Sequence, residues 1–148
     1  MRYVLAAAGI FGLDAWLKQR MDQNLKPGVE RPVLKGRVIL RKYYNKGAAL
    51  DALDRWPGVV KGVSATVLML LCAFGLAFGK KEKGGFRLGF SMVIGGGASN
   101  LWDRWKLGHV VDYFSFQSRF PRIRRIVFNL SDMCIFLGTL LMAVFHKK

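Results

Sequence analysis

Residues 62–79 are eighteen consecutive positions without a charge. Roughly 20 apolar residues of helix cross a bilayer's hydrocarbon core, so such a run is a candidate span. Residues 88–102 are fifteen more uncharged positions, and residues 126–145 are twenty with one charge, Asp132. A shorter apolar run at 3–13 reaches span length only by continuing through Asp14 and Lys18. The pattern predicts one integral-membrane domain over residues 1–148, an all-α bundle of four transmembrane helices at 3–21, 62–79, 87–104 and 126–145. A cleaved signal peptide is the competing reading of the first run. It fits less well, because Arg2 is the only early basic residue and the small residues Ala6 to Gly9 precede a proper apolar core.

Composition agrees with a membrane location. The chain is 52% hydrophobic, yet its formal net charge is +15. The basic residues lie between the apolar runs and do not line one amphipathic helix. This favours anionic lipid head groups over nucleic acid as the partner. Residues 19–61 are polar and contain Pro27, Pro32 and Pro57. Within them "GRVILRKYYNKGAAL" alternates and ends in a turn, which predicts a small β element outside the bilayer at about 30–58. Gly95, Gly96, Gly97, Ala98 and Ser99 give the third span a small-residue face for close helix packing. A phosphate loop would need a following Lys-Ser/Thr and a preceding strand, and neither is present. Cys72 and Cys134 each lie in an apolar run without a C-x-x-C, so both are expected as small buried side chains.

An acid in a span costs about 2.5–3.5 kcal/mol on insertion scales and normally faces a cavity or a partner. The partner expected for Asp132 is Asp112, which follows the third span in "SNLWDRWKLGHVVDYF". Adjacent antiparallel third and fourth spans would bring both acids to one edge of the bilayer, with Asp132 about two turns into its helix. Two carboxyls sharing a site hold one proton between them, an arrangement that activates water. Structural readings stand beside this one. Asp132 could pair with an Arg or Lys, Asp103–Arg104 could be an interfacial ion pair, and Asp14–Lys18 has the i, i+4 spacing of an intrahelical pair. Other chemistries lack their parts. There is no H-E-x-x-H or G-x-S-x-G, His109 and His146 are far apart, and Ser131 has no evident base. No metal and no cofactor are expected.

Four blocks in order, "LDAWLK", "NKGAAL", "SNLWDRWKLGHVVDYF" and "FNLSD", together resemble signal peptidase II, the bacterial lipoprotein signal peptidase family of membrane aspartyl endopeptidases. "LDAWLK" resembles its Asp-x-x-x-Lys, and "NKGAAL" its Asn-x-Gly-x-Ala. "SNLWDRWKLGHVVDYF" resembles its Asn-x-x-Asp-Arg followed by Val-Val-Asp, and "FNLSD" its Phe-Asn-x-Ala-Asp. The resemblance implies four transmembrane helices in the bacterial cytoplasmic membrane, both termini cytoplasmic, and an extracytoplasmic β-cradle. It implies cleavage of a diacylglyceryl-modified prolipoprotein just before its lipidated cysteine. Carried over by motif, Asp112 and Asp132 are the catalytic pair, and Asn100, Asp103, Arg104 and Asn129 shape the pocket. Asn45 and Gly47 lie over the substrate, and Asp14 and Lys18 fix the first helix against the site. Membrane lipids are the other expected partner, and a monomer the expected state.

Three features depart from that pattern. Ser131 stands where the family has alanine, and its hydroxyl is expected to bond one of the two acids or the carbonyl one turn back. Leu50 stands where an aromatic residue is common. The side of the bilayer holding residues 20–61 and 104–125 has sixteen Lys and Arg, against seven on the side of the termini. The positive-inside rule would place the long loop in the cytoplasm, opposite to the implied topology. Ser131 and the basicity leave a second expectation, a non-catalytic relative that binds lipopeptide or another membrane partner.

Overall fold

The computed structural model describes residues 1–48, 52–78 and 82–146, apart from the side chains of Phe78 and Arg122. Ala49, Leu50, Lys80, Lys81, Lys147 and Lys148 therefore lie outside the described residues. The elements are α1 (Arg2–Asn24), β1 (Arg31–Val33), β2 (Val38–Asn45), α2 (Pro57–Phe78), α3 (Gly84–Lys106), β3 (Val110–Phe116), α4 (Pro121–Arg125) and α5 (Leu130–Phe145).

The helices sit near their expected places, and the differences have local causes. α2 begins at Pro57, five residues before the uncharged run, because proline's fixed φ and missing N–H suit a first helical position. α5 begins at Leu130 and not at 126. Asn129 is extended, at φ −125° and ψ 177°, and caps the helix. Asp132 is therefore in the first turn of α5, not two turns in. Just upstream, Phe128 bridges to Phe114 and extends the sheet. Among the described residues, Pro57–Ala77 is the one helix both long and apolar enough to cross a membrane unaided, and α5 is apolar but has 16 residues.

The β element differs more. The sheet is antiparallel in the order β1–β2–β3. β1 and β2 fall in the expected region, but β3 comes from the segment between α3 and α4. β2 and β3 change register between Leu40 and Tyr43, which sets Tyr43 opposite Asp112 and Asn45 opposite Val110. β3 is nearly all buried, so it lacks the one-sided alternation that marks a strand in sequence.

α3 is the axis of the bundle, with its widest contact against α5, then α1, then α2. Its glycines make that possible. A Cβ on Gly89 would run into the Gly138 carbonyl, and one on Gly138 would come within 2.5 Å of the Gly89 carbonyl. A Cβ on Gly96 would sit 2.8 Å from the Ser131 carbonyl, and one on Gly95 would sit 2.5 Å from that of Ala7. The expected small-residue face is thus where α3 meets two neighbours. The outer surface is apolar, with Val63, Met69, Leu70, Leu76, Phe136 and Val144 all exposed. The buried set includes Asp14, Lys18, Asp103 and Asp112. Large apolar side chains outside and charges inside fit lipid as the solvent. Cys134 is buried as expected, but Cys72 is exposed on α2, correcting that expectation.

Gly89→Ile should cost about 1–3 kcal/mol by overpacking the α3–α5 contact. Gly12→Ala meets no atom within 4 Å and should be neutral or stabilising. Thermal unfolding in detergent checks both. Equal midpoints for the two variants would contradict this account of α3.

Candidate active site

The site forms where α1, α3, β2, β3 and α5 meet, and its centre is the amide of Asn129. As the N-cap of α5, Asn129 accepts from the Asp132 backbone N–H at 2.9 Å, while Asp132 Oδ2 accepts from the Asn129 N–H at 3.1 Å. This capping box fixes the carboxylate in the first turn, where the helix dipole favours negative charge. The Asn129 Nδ2 donates to Asp112 Oδ1 at 2.7 Å and to Asn100 Oδ1 at 3.2 Å. Asn129 is fully buried, and this one residue thus holds both carboxylates, Asp112 by its side chain and Asp132 by its backbone N–H, and ties them to α3 through Asn100.

Each acid has a second donor. Asn45 Nδ2 reaches Asp112 Oδ2 at 3.2 Å, and Asn100 Nδ2 reaches Asp132 Oδ1 at 3.0 Å. Asp112 is 2% exposed, whereas Asp132 is half-buried. Burial, and then the neighbouring charge of Asp132, push the Asp112 carboxyl up to about 7. Donation from Asn45 and Asn129 and the charge of Lys18 work against that rise.

Behind the acids lies a buried ionic cluster. The Lys18 ammonium is 2.8 Å from Asp14 Oδ2 and 3.1 Å from Asp103 Oδ2, and it donates to Asn100 Oδ1 at 2.8 Å. The intrahelical Asp14–Lys18 pair is therefore present, within a larger network. Asp103 pairs with Lys18 and accepts from the Val111 N–H at 3.3 Å. Arg104 instead donates to the Gly47 and Asn100 carbonyls, at 2.9 and 3.4 Å. An Asp103–Arg104 interfacial pair is not what forms, because Lys18 reaches Asp103 from the facing helix. Gly47 in turn donates its N–H to Asn45 Oδ1 at 3.0 Å.

All ten residues singled out in the sequence, Asp14, Lys18, Asn45, Gly47, Asn100, Asp103, Arg104, Asp112, Asn129 and Asp132, fall within this one network. Two participants were not anticipated, and a third, Ser131, takes a partner other than the expected ones. Ser99 Oγ donates to Asp14 Oδ2 at 2.6 Å. The Tyr113 hydroxyl accepts from the Leu130 N–H at 3.1 Å. Ser131 bonds neither acid nor a carbonyl one turn back. Its hydroxyl donates to Asp14 Oδ2 at 2.6 Å and its N–H to Asp14 Oδ1 at 3.1 Å. The first three N–H groups of α5 are thus capped by Tyr113, Asp14 and Asn129, from three separate elements. No spacing rule would have joined Ser131 to a residue 117 positions away. Among the described residues there is no group of His, Cys, Asp and Glu arranged to hold a metal ion.

Comparisons with known proteins identify relatives of this chain. The signal peptidase (SPase) II family profile matches residues 6–147. The chain is 32% identical to the lipoprotein signal peptidase of Clostridioides difficile (strain 630), covering 98% of this chain and 94% of that one. It is 34% identical to that of Nostoc punctiforme, covering 97% of this chain and 89% of the relative. Two solved structures of bacterial membrane enzymes share the fold, with TM-scores of 0.83 and 0.74 at 21% and 19% identity. They cover 97% of this chain in both cases, and 85% and 90% of their own. The chain therefore belongs to the signal peptidase II family.

Proposed function

We propose that this chain removes the signal peptide from lipid-modified prolipoproteins as an aspartyl endopeptidase, cutting before the lipidated cysteine with Asp112 and Asp132 as the water-activating pair. The observation that carries this reading is that one residue, Asn129, donates to both carboxylates, through its side-chain amide to Asp112 on a strand and through its backbone N–H to Asp132 on a helix.

The chemistry follows from one shared proton. The ionised acid takes a proton from water as the water oxygen attacks the scissile carbonyl carbon. The protonated acid gives its proton to the carbonyl oxygen. Collapse of the tetrahedral adduct breaks the C–N bond: the acid that took water's proton passes it to the departing amine, and the other acid takes a hydroxyl proton from the adduct as the new carboxyl forms. The pair is left with one proton again. No covalent intermediate and no metal take part.

In the same reading α1, α2, α3 and α5 each span the bacterial cytoplasmic membrane, and residues 1–148 act as one monomeric domain. The sheet and the two acids lie at the extracytoplasmic boundary and both termini in the cytoplasm. The substrate's acyl chains stay in lipid while its peptide bond reaches the acids, which calls for a site at this boundary. The basic excess in residues 20–61 falls partly within folded structure. Arg41 pairs with Glu30 at 3.2 Å, and Lys42 pairs with Asp22 at 3.1 Å. Ser131, which raised the possibility of an inactive relative, bonds Asp14 and leaves both acids free of its hydroxyl.

Asp112→Asn and Asp132→Asn should each lower cleavage of a lipid-modified precursor by roughly 10²–10⁴-fold while the protein still inserts. A gel-shift assay reads this directly. Normal processing by either variant would overturn the pair, and binding without cleavage by the unmodified chain would identify a non-catalytic relative.

Activity should fall as pH rises through about 7, where Asp112 gives up the shared proton. Asn45→Ala removes a donor to the ionised form, so the carboxyl holds its proton more strongly and the alkaline limb should move to higher pH. A limb that stays in place or moves down would contradict this role for Asn45.

A further inference from the structure

The end of the bundle remote from the acids holds a cavity of about 360 Å³ between α1, α2 and α3. Val4, Ala7, Phe74, Phe90 and Ile94 line it, and Cys72 is in its wall. A Cβ on Gly84 would touch the Tyr3 hydroxyl, and one on Gly85 would strike the Phe145 ring. The N-termini of α1 and α3 and the C-terminus of α5 therefore share this end. Volumes of roughly 300–1,000 Å³ are typical of ligand pockets.

The rim is cationic. The Arg87 guanidinium lies 4.2 Å from the centroid of the Tyr3 ring, and that of Arg2 lies 4.9 Å from it. Arg2 also donates to the Tyr3 hydroxyl at 3.0 Å. Among the described residues no carboxylate pairs with Arg2, Lys83 or Arg87. The nearest acid in sequence, Glu82, faces His146 at 3.8 Å. A guanidinium stacked on a ring keeps its in-plane N–H groups available for an anion.

We propose that this groove is a binding site for an anionic phospholipid, with one acyl chain against Val4, Ala7, Phe74, Phe90 and Ile94 and the phosphodiester on Arg87 and Arg2. The charge at the rim complements the head group, and basic pockets between membrane helices collect such lipids. A peptide suits the groove poorly, because the apolar wall would leave its backbone N–H and C=O groups without partners. An acyl chain needs none.

Cys72 supplies the probe. In nanodiscs holding the full chain, phosphatidylglycerol should slow alkylation of Cys72 by a lipid-soluble maleimide severalfold relative to phosphatidylcholine. Arg87→Gln should abolish that difference. In native mass spectrometry the unaltered chain should retain phosphatidylglycerol over phosphatidylcholine, Arg87→Gln should lose the preference, and Cys72→Trp should retain neither. Peptidase activity should be unchanged in both variants, which reports that they fold. Equal alkylation in the two lipids, or retention indifferent to both substitutions, would overturn the site. So would equal protection by inorganic phosphate, or protection that grows with protein concentration, which would point to a free anion or to a second copy of the chain.

Discussion

A buried ammonium holds this structure together. Lys18 is 2% exposed and sits between Asp14 and Asp103, with Asn100 taking its third bond. Removing one partner of such a pair typically costs about 3–5 kcal/mol, because the other charge stays buried and uncompensated. α1 and α3 are therefore fixed in rotation as well as in distance. Asn100 passes that constraint on, since the same carbonyl that accepts from Lys18 accepts from Asn129, and the same amide donates to Asp132. The acids inherit their positions from a cation that touches neither of them.

The close approach of the helices makes this network possible. Polar side chains as short as Asn and Ser reach across a helix interface only where backbones nearly touch. Gly96 provides that against Ser131 on α5, and Gly95 provides it against Ala7 on α1. Asp14 then receives donors from α1, α3 and α5 together: Lys18, Ser99 and Ser131. Its carboxylate is a junction of three helices, and it caps one of the orphan amides of α5. Serine in place of the family's alanine adds a donor to this junction.

Much of this was legible in the sequence, for physical reasons that vary by element. α2, α3 and α5 announced themselves through long runs with at most one charge, and α1 through a shorter run that continues past Asp14 and Lys18. Asp132 stood out because charge is costly in such a run, and Asp112 followed once two adjacent spans were taken as antiparallel. β3 was not legible, because a strand buried on both faces loses its alternation. The start of α5 was misjudged for a related reason. Ile126, Val127 and Phe128 are as apolar as the helix that follows, and only the cap at Asn129 separates strand-like backbone from helix. Ser99 and Ser131 read as packing residues. Their hydroxyls matter because of where Asp14 lies, which is a tertiary fact.

The central claim is that Asp112 and Asp132 share one proton at neutral pH. Infrared difference spectroscopy reports a protonated carboxyl directly, through its C=O stretch. The account predicts one such band that titrates away near pH 7 and is missing in Asp112→Asn. Absence of the band below that pH in the unaltered protein, or its persistence in the variant, would contradict it.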